Sequence, residues 1–198
     1  MTPEPMTPTP LHPRNQAFAW RPAAPPYALI SADQARQYDE DGYFRLPAAF
    51  TAAEMEAVAQ AIAPFEAAEE ARLRGFAGGR HSISRADAIT FTIHLVARSE
   101  ALKTFSRHRI FRGLCHDTLG PGARLYWDQA VYKKPGNPEE FPWHQDNGYT
   151  FIEPQQYLTC WVALSDTTKE NGCPWVVPGA HRAGTLRHEV TPLGLKCL

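Results

Sequence analysis

Apolar residues recur at three- and four-residue steps in parts of the first 120 positions, and after them aromatic and β-branched residues gather in short runs. Ser31 with Gln34 three residues later forms a capping-box pattern. It predicts a short helix running to about Tyr38, with Gly42 in the turn that ends it. The run Tyr43 to Pro47 reads as extended, and Thr51 with Glu54 repeats the capping box before a second helix. Met55, Val58, Ile62 and Phe65 give that helix one apolar stripe. Pro64 should bend or break it, because proline lacks a backbone donor and clashes one turn back. Residues 75–80, GFAGGR, form a loop, and residues 89–96, ITFTIHLV, suit a strand or a buried helix. His94 within that run reads as a hydrogen-bonded core or surface histidine. Residues 100–119 are helical in one or two pieces, with Leu102, Phe105, Ile110, Leu114 and Leu119 apolar and Gly120 at the end.

Beyond Gly120 the pattern becomes that of strands. Residues 123–133, 156–166 and 173–178 are rich in aromatic and β-branched side chains and are separated by proline, glycine and asparagine turns. Helices followed by successive strands argue against a doubly wound α/β sheet. The expectation is a mainly β fold with N-terminal helices: a double-stranded β-helix, or jelly roll, of the cupin-like kind, able to hold a site in its mouth. Residues 1–26, rich in proline and threonine and without periodicity, read as a flexible tail. Residues 27–198 then form one domain.

Charge narrows the partners. Twenty Lys and Arg nearly balance twenty-one Asp and Glu, and no basic block appears, so neither nucleic acid nor a membrane surface is indicated. A small-molecule partner is expected. No apolar run could span a bilayer, and the first residues resemble no signal peptide, giving a soluble cytoplasmic protein as the expectation. Cys115, Cys160, Cys173 and Cys197 are irregularly spaced and read as free thiols, with Cys160 and Cys173 as small hydrophobes in strand-like segments rather than nucleophiles.

The densest chemistry lies in residues 141–149, FPWHQDNGY. In an extended chain, positions i and i+2 project to the same face, so His144 and Asp146 would converge on one point. That is two thirds of a two-histidine, one-carboxylate site for Fe(II), which leaves facing positions open for a cosubstrate and O2. A surface turn with a local hydrogen bond is the other reading of the same residues. Asn171–Gly172 and Pro178–Gly179 suit tight turns.

Several segments occur together in a recognisable order: 39–58, DEDGYFRLPAAFTAAEMEAV; 133–146, with Lys133-Lys134-Pro135 and Trp143-His144-Gln145-Asp146; a strand containing Trp161; and 165–181, with Glu170-Asn171-Gly172-Cys173 and Pro178-Gly179-Ala180-His181. Over residues 31–190 the chain resembles the phytanoyl-CoA dioxygenase family of non-haem Fe(II) and 2-oxoglutarate-dependent oxygenases. The resemblance implies that His144 and Asp146 are the catalytic metal ligands and that Trp161 lines the 2-oxoglutarate pocket. Gln129 and Thr159 are further candidates for that pocket, whereas Lys133 is a solvated lysine. It implies hydroxylation of a small organic substrate with O2, and Asp146 argues against a halogenase. His181 is not the metal histidine of the family pattern. The resemblance further implies a second metal histidine, and an arginine for the distal carboxylate, on a strand later than Leu198, so that the jelly roll in this sequence would be incomplete at its C-terminus. A catalytically inactive cupin-like binding module is the alternative from another class, and a zinc site using His144, Asp146 and His181 is a third.

Overall fold

The computed structural model describes residues 10–137 and 139–197. Helix α1 (Ala32–Asp41) opens on the expected capping box: Ser31 Oγ accepts from Gln34 N–H, and Gln34 Oε1 accepts from Ser31 N–H. It closes at Gly42, whose φ of 81° only glycine adopts without strain. Helix α2 (Ala52–Arg74) begins at the Thr51–Glu54 box and runs through Pro64 without a break. Val58 and Ile62 before the proline and Leu73 after it are all buried. Packing on both sides therefore outweighs the one backbone bond that proline removes. Helices α3 (Glu100–Ser106) and α4 (Arg109–Leu119) divide the third helical stretch in two.

Strands β1 (Arg80–His81), β2 (Ser84–Arg85), β3 (Ile89–Ile93) and β4 (Gln129–Lys133) form one antiparallel sheet in that order. Residues 89–96 thus resolve into strand β3 followed by a short 3-10 turn, with His94 at its start in left-handed conformation, edge-on to Trp127. β3 and β4 pair in full register, Thr90 opposite Tyr132 and Thr92 opposite Ala130. The core lies between this sheet and the helices. Val58, Ile62, Leu95, Leu102 and Ala130 form its centre, with Met55, Phe65, Phe105, Tyr132 and Leu164 packed around them.

A closed jelly roll is not what the described residues form. Only Gln129–Lys133 of the run 123–133 joins a ladder, and residues 156–166 and 173–178 join none. The remaining strands, β5 (Glu189–Thr191) and β6 (Gly194–Lys196), make a separate hairpin. Among the described residues the α-helices hold more of the chain than the strands. Aromatic and β-branched composition marks a segment that fits a pleated surface, and a strand forms only where a neighbour supplies the ladder.

The segment read as a flexible tail is, from Pro10 onward, tied down. Leu11 bridges Leu186, His12 N–H donates to Thr185 O, and Arg187 N–H donates to Pro10 O. Asn15 is buried, and Trp20 Nε1–H donates to Asp39. Proline-rich sequence carries no periodicity, yet the Asn15 side-chain amide finds a carbonyl 170 residues away. Residues 1–9, in the rest of that tail, lie outside the described residues.

Candidate functional site

His144 and Asp146 flank Gln145, whose backbone is extended (φ −106°, ψ 138°). One extended residue between them is sufficient to bring both side chains to the same side, although no strand forms there and Asp146 opens a 3-10 turn, Asp146–Gly148. His144 Nε2 lies 3.4 Å from Asp146 Oδ1. His144 Nδ1 lies 2.7 Å from Pro142 O, which can only accept, so Nδ1 carries a proton and Nε2 is the nitrogen turned to the carboxylate. Thr159 Oγ1–H donates to the other oxygen, Asp146 Oδ2, at 2.7 Å.

The pair is electrostatically coupled. The hydrogen bond to Asp146 raises the His144 pKa against the opposing effect of burial. The same bond, aided by Thr159, lowers that of Asp146. Without a metal, the facing carboxylate favours a proton on His144 Nε2. A divalent cation held by the pair would take the place of the Nε2 proton, since a ligating imidazole must be neutral at the donor nitrogen. A backbone carbonyl on the far nitrogen is the usual device that orients a metal-binding histidine, and the pair fits two positions of a metal site. Among the described residues no group of three His, Cys, Asp or Glu side chains could hold a metal ion.

The other residues singled out in the sequence are distributed unevenly. Thr159 reaches the site through Asp146. Trp161, two residues on, is 56% exposed and makes no ring–ring or cation–π contact among the described residues. Gln129 pairs with Ile93 at the edge of the β3–β4 ladder, and its Oε1 accepts from Trp127 Nε1–H. Lys133 lies along Gly172. His181 is held elsewhere: its Nε2 is 3.0 Å from Asp39 O, its ring meets Trp20 edge-on, and it fills the space beside Gly42. The zinc arrangement with His181 is therefore not assembled. Asn171 closes its turn by accepting from Thr168 N–H and donating to Asp166 O. The four cysteines are unpaired, and burial, with Cys115 nearby, pushes the Cys160 thiol up to about 11.

Sequence reasoning missed the residues that brace the pair. Tyr149 stands edge-on to His144, at 5.8 Å between ring centroids, and its hydroxyl accepts from Leu195 N–H. Tyr157 is paired edge-on with Tyr126; burial, then the nearby Asp146 charge, raises its pKa. Gln145 and His188 link the pair to the segment 184–188. The only signal for Gln145 is its place between the two candidate ligands, with its side chain on the opposite face; nothing local marks His188.

The phytanoyl-CoA dioxygenase family profile matches residues 38–193. A phytanoyl-CoA dioxygenase of Arabidopsis thaliana is 42% identical over 57 residues, which is 29% of this chain and 20% of that protein. Phytanoyl-CoA dioxygenase domain-containing protein 1 of Bos taurus is 28% identical over 207 residues, covering 84% of this chain and 71% of its own length. The ectoine dioxygenase of Bordetella parapertussis is 27% identical over 157 residues, 77% of this chain and 50% of that enzyme. The matched part is thus about a fifth of the plant relative and half of the bacterial one. No solved structure matches the chain. No helix among the described residues is long and apolar enough to cross a membrane. With the family profile spanning most of its length and His144 and Asp146 facing one another, this chain belongs to the phytanoyl-CoA dioxygenase family.

Proposed function

We propose that this chain carries the His144–Asp146 half of an Fe(II) and 2-oxoglutarate-dependent oxygenase that hydroxylates a small organic molecule, within a cytoplasmic protein of jelly-roll architecture. The observation that carries the reading is the facing pair itself, with His144 Nε2 turned to Asp146 Oδ1 at 3.4 Å and the far side of each group already fixed. When bound, Fe(II) supplies the chemistry that couples decarboxylation of 2-oxoglutarate by O2 to substrate oxidation. The chain's own residues position. Pro142 O holds the Nδ1 proton of His144, leaving Nε2 as the donor atom. Thr159 orients Asp146 through its hydrogen bond to Oδ2. By the family resemblance Trp161 and Gln129 would line the cosubstrate side, and Tyr149 stands edge-on to His144.

Incubating the whole protein with Fe(II), 2-oxoglutarate and O2, and counting succinate, tests the proposal. His144→Ala and Asp146→Ala should bring succinate to background; near wild-type release from either variant sinks it. Trp161→Ala should weaken 2-oxoglutarate binding and leave metal affinity nearly unchanged. A second reading, a catalytically silent small-molecule binder, is favoured by one observation: no third donor joins the pair among the described residues. Calorimetry of 2-oxoglutarate binding with and without metal separates the two, since a silent binder needs no metal.

A further inference from the structure

The side of the His144–Asp146 pair that faces away from the proposed metal is unusually well tied. Gln145 N–H donates to His188 Nε2 at 2.9 Å. Its side chain makes two further bonds, Nε2–H to Gly184 O at 2.9 Å and Oε1 from Leu186 N–H at 2.7 Å. His188 Nδ1 is 2.9 Å from Leu186 O. A carbonyl only accepts and an amide N–H only donates, so His188 carries its proton on Nδ1 and keeps Nε2 bare. Two residues on, Asn147 Nδ2–H donates to Thr185 Oγ1, and Thr185 is fully buried. Gly148 closes the arrangement: a Cβ there would lie 2.2 Å from His188 Cε1. Apart from the His188–Leu186 contact within the segment, each of these bonds joins the 145–148 turn to residues 184–188.

We infer that Gln145 and His188 are positioning residues: together they clamp the backbone between His144 and Asp146 so that both side chains meet at one point. This rests on the reading of that pair as metal ligands. The physical reason is torsional. Backbone rotation at Gln145 would swing Asp146 away from His144, and the three hydrogen bonds on Gln145 hold that rotation. His188 is chosen over an apolar residue because a neutral imidazole offers an acceptor at Nε2 while its own Nδ1–H is anchored. Gly148 is small because the ring occupies its Cβ space.

The test compares His188→Phe, which keeps a ring and loses the acceptor, with His188→Gln, whose Oε1 can take the place of Nε2. Gln145→Met removes both side-chain bonds with the ring untouched, and serves if His188→Phe does not fold. Amide exchange at Gln145 is measured in the metal-free protein. Mn(II) broadening of the His144 and Asp146 resonances registers even weak binding. Nitrogen-15 spectra of His188 should display the Nδ1–H tautomer. His188→Phe and Gln145→Met should speed Gln145 exchange and weaken Mn(II) binding about 10–100-fold, as loss of an outer-shell partner does. His188→Gln should recover most of both. The Nε2–H tautomer, or unchanged exchange and Mn(II) binding in His188→Phe and Gln145→Met, overturns the clamp. A wild-type protein in which Mn(II) broadens neither residue overturns the metal reading instead.

Discussion

The half of the molecule built from α2, α3, β3 and β4 and the half containing residues 139–197 are held by different forces. In the first, Val58, Ile62, Leu95, Leu102 and Ala130 are buried against one another, and the helices and sheet enclose them. In the second, the described residues form little regular structure besides the β5–β6 hairpin, and Trp161 and Trp175 are 56% and 64% exposed. What fixes it is side chain to backbone hydrogen bonding: Gln145 and Gln155 to the 184–186 backbone, and Asn15 to Ala183 and Thr185. Burial stabilises in proportion to area and tolerates small shifts. Hydrogen bonds are directional and modest in net energy, and they set geometry. The half that carries the candidate site is therefore the one held by the more directional contacts.

The largest effect expected is on chemistry in the second half. Asp146→Ala should abolish 2-oxoglutarate-dependent succinate release in the whole protein while shifting the unfolding midpoint little, because the residue is partly exposed and outside the core. A large stability loss with activity retained would reverse the comparison. In the first half the order should invert. Ile62→Ala should cost roughly 2–5 kcal/mol in urea unfolding, by lost transfer energy and the cavity left behind, with the Gln145 amide still protected in the folded protein. A cost under about 1 kcal/mol would mean that the core is loosely packed.

Asp117 gives a pH test within the helical side. Its carboxylate is buried and accepts from Ala28, Leu29 and Ile30 N–H, joining the approach to α1 onto α4. Burial pushes its pKa up, but those amides and the His116 ring outweigh it and bring it down to about 2. A depressed folded pKa means stability fully present above the unfolded value, roughly 3.9. That stability is lost as pH falls through the folded value. About 2 kcal/mol should disappear over that window. Asp117→Asn should flatten the acid limb of a stability–pH curve, and an unchanged acid limb would dismiss the role.

Thr159→Val is the mildest change. It removes one hydrogen bond from Asp146 Oδ2 and should weaken Mn(II) binding about tenfold or less, consistent with a bond worth roughly 1 kcal/mol. A loss as large as that of Asp146→Ala would make Thr159 a direct participant.

The helical half was legible residue by residue. Ser31–Gln34 and Thr51–Glu54 cap the helices they predicted, because a capping box is closed within four residues and needs nothing from the rest of the chain. Pro64 does not break its helix because its local penalty is set against burial with residues from the sheet and α3, which no window of sequence contains. The β half was harder. Residues 156–166 and 173–178 have the composition of strands but pair with nothing among the described residues, since a ladder is a property of two segments.

For the site, the sequence by itself determined the convergence of His144 and Asp146, because one extended residue between them is enough to align their side chains. Only the tertiary structure decided which residues brace them. Thr159, Gln145's partners at 184–188, and the placement of His181 beside Trp20 and Asp39 all depend on contacts between distant segments. Local spacing sets which way a side chain points, whereas the group that meets it is chosen by how the chain folds back.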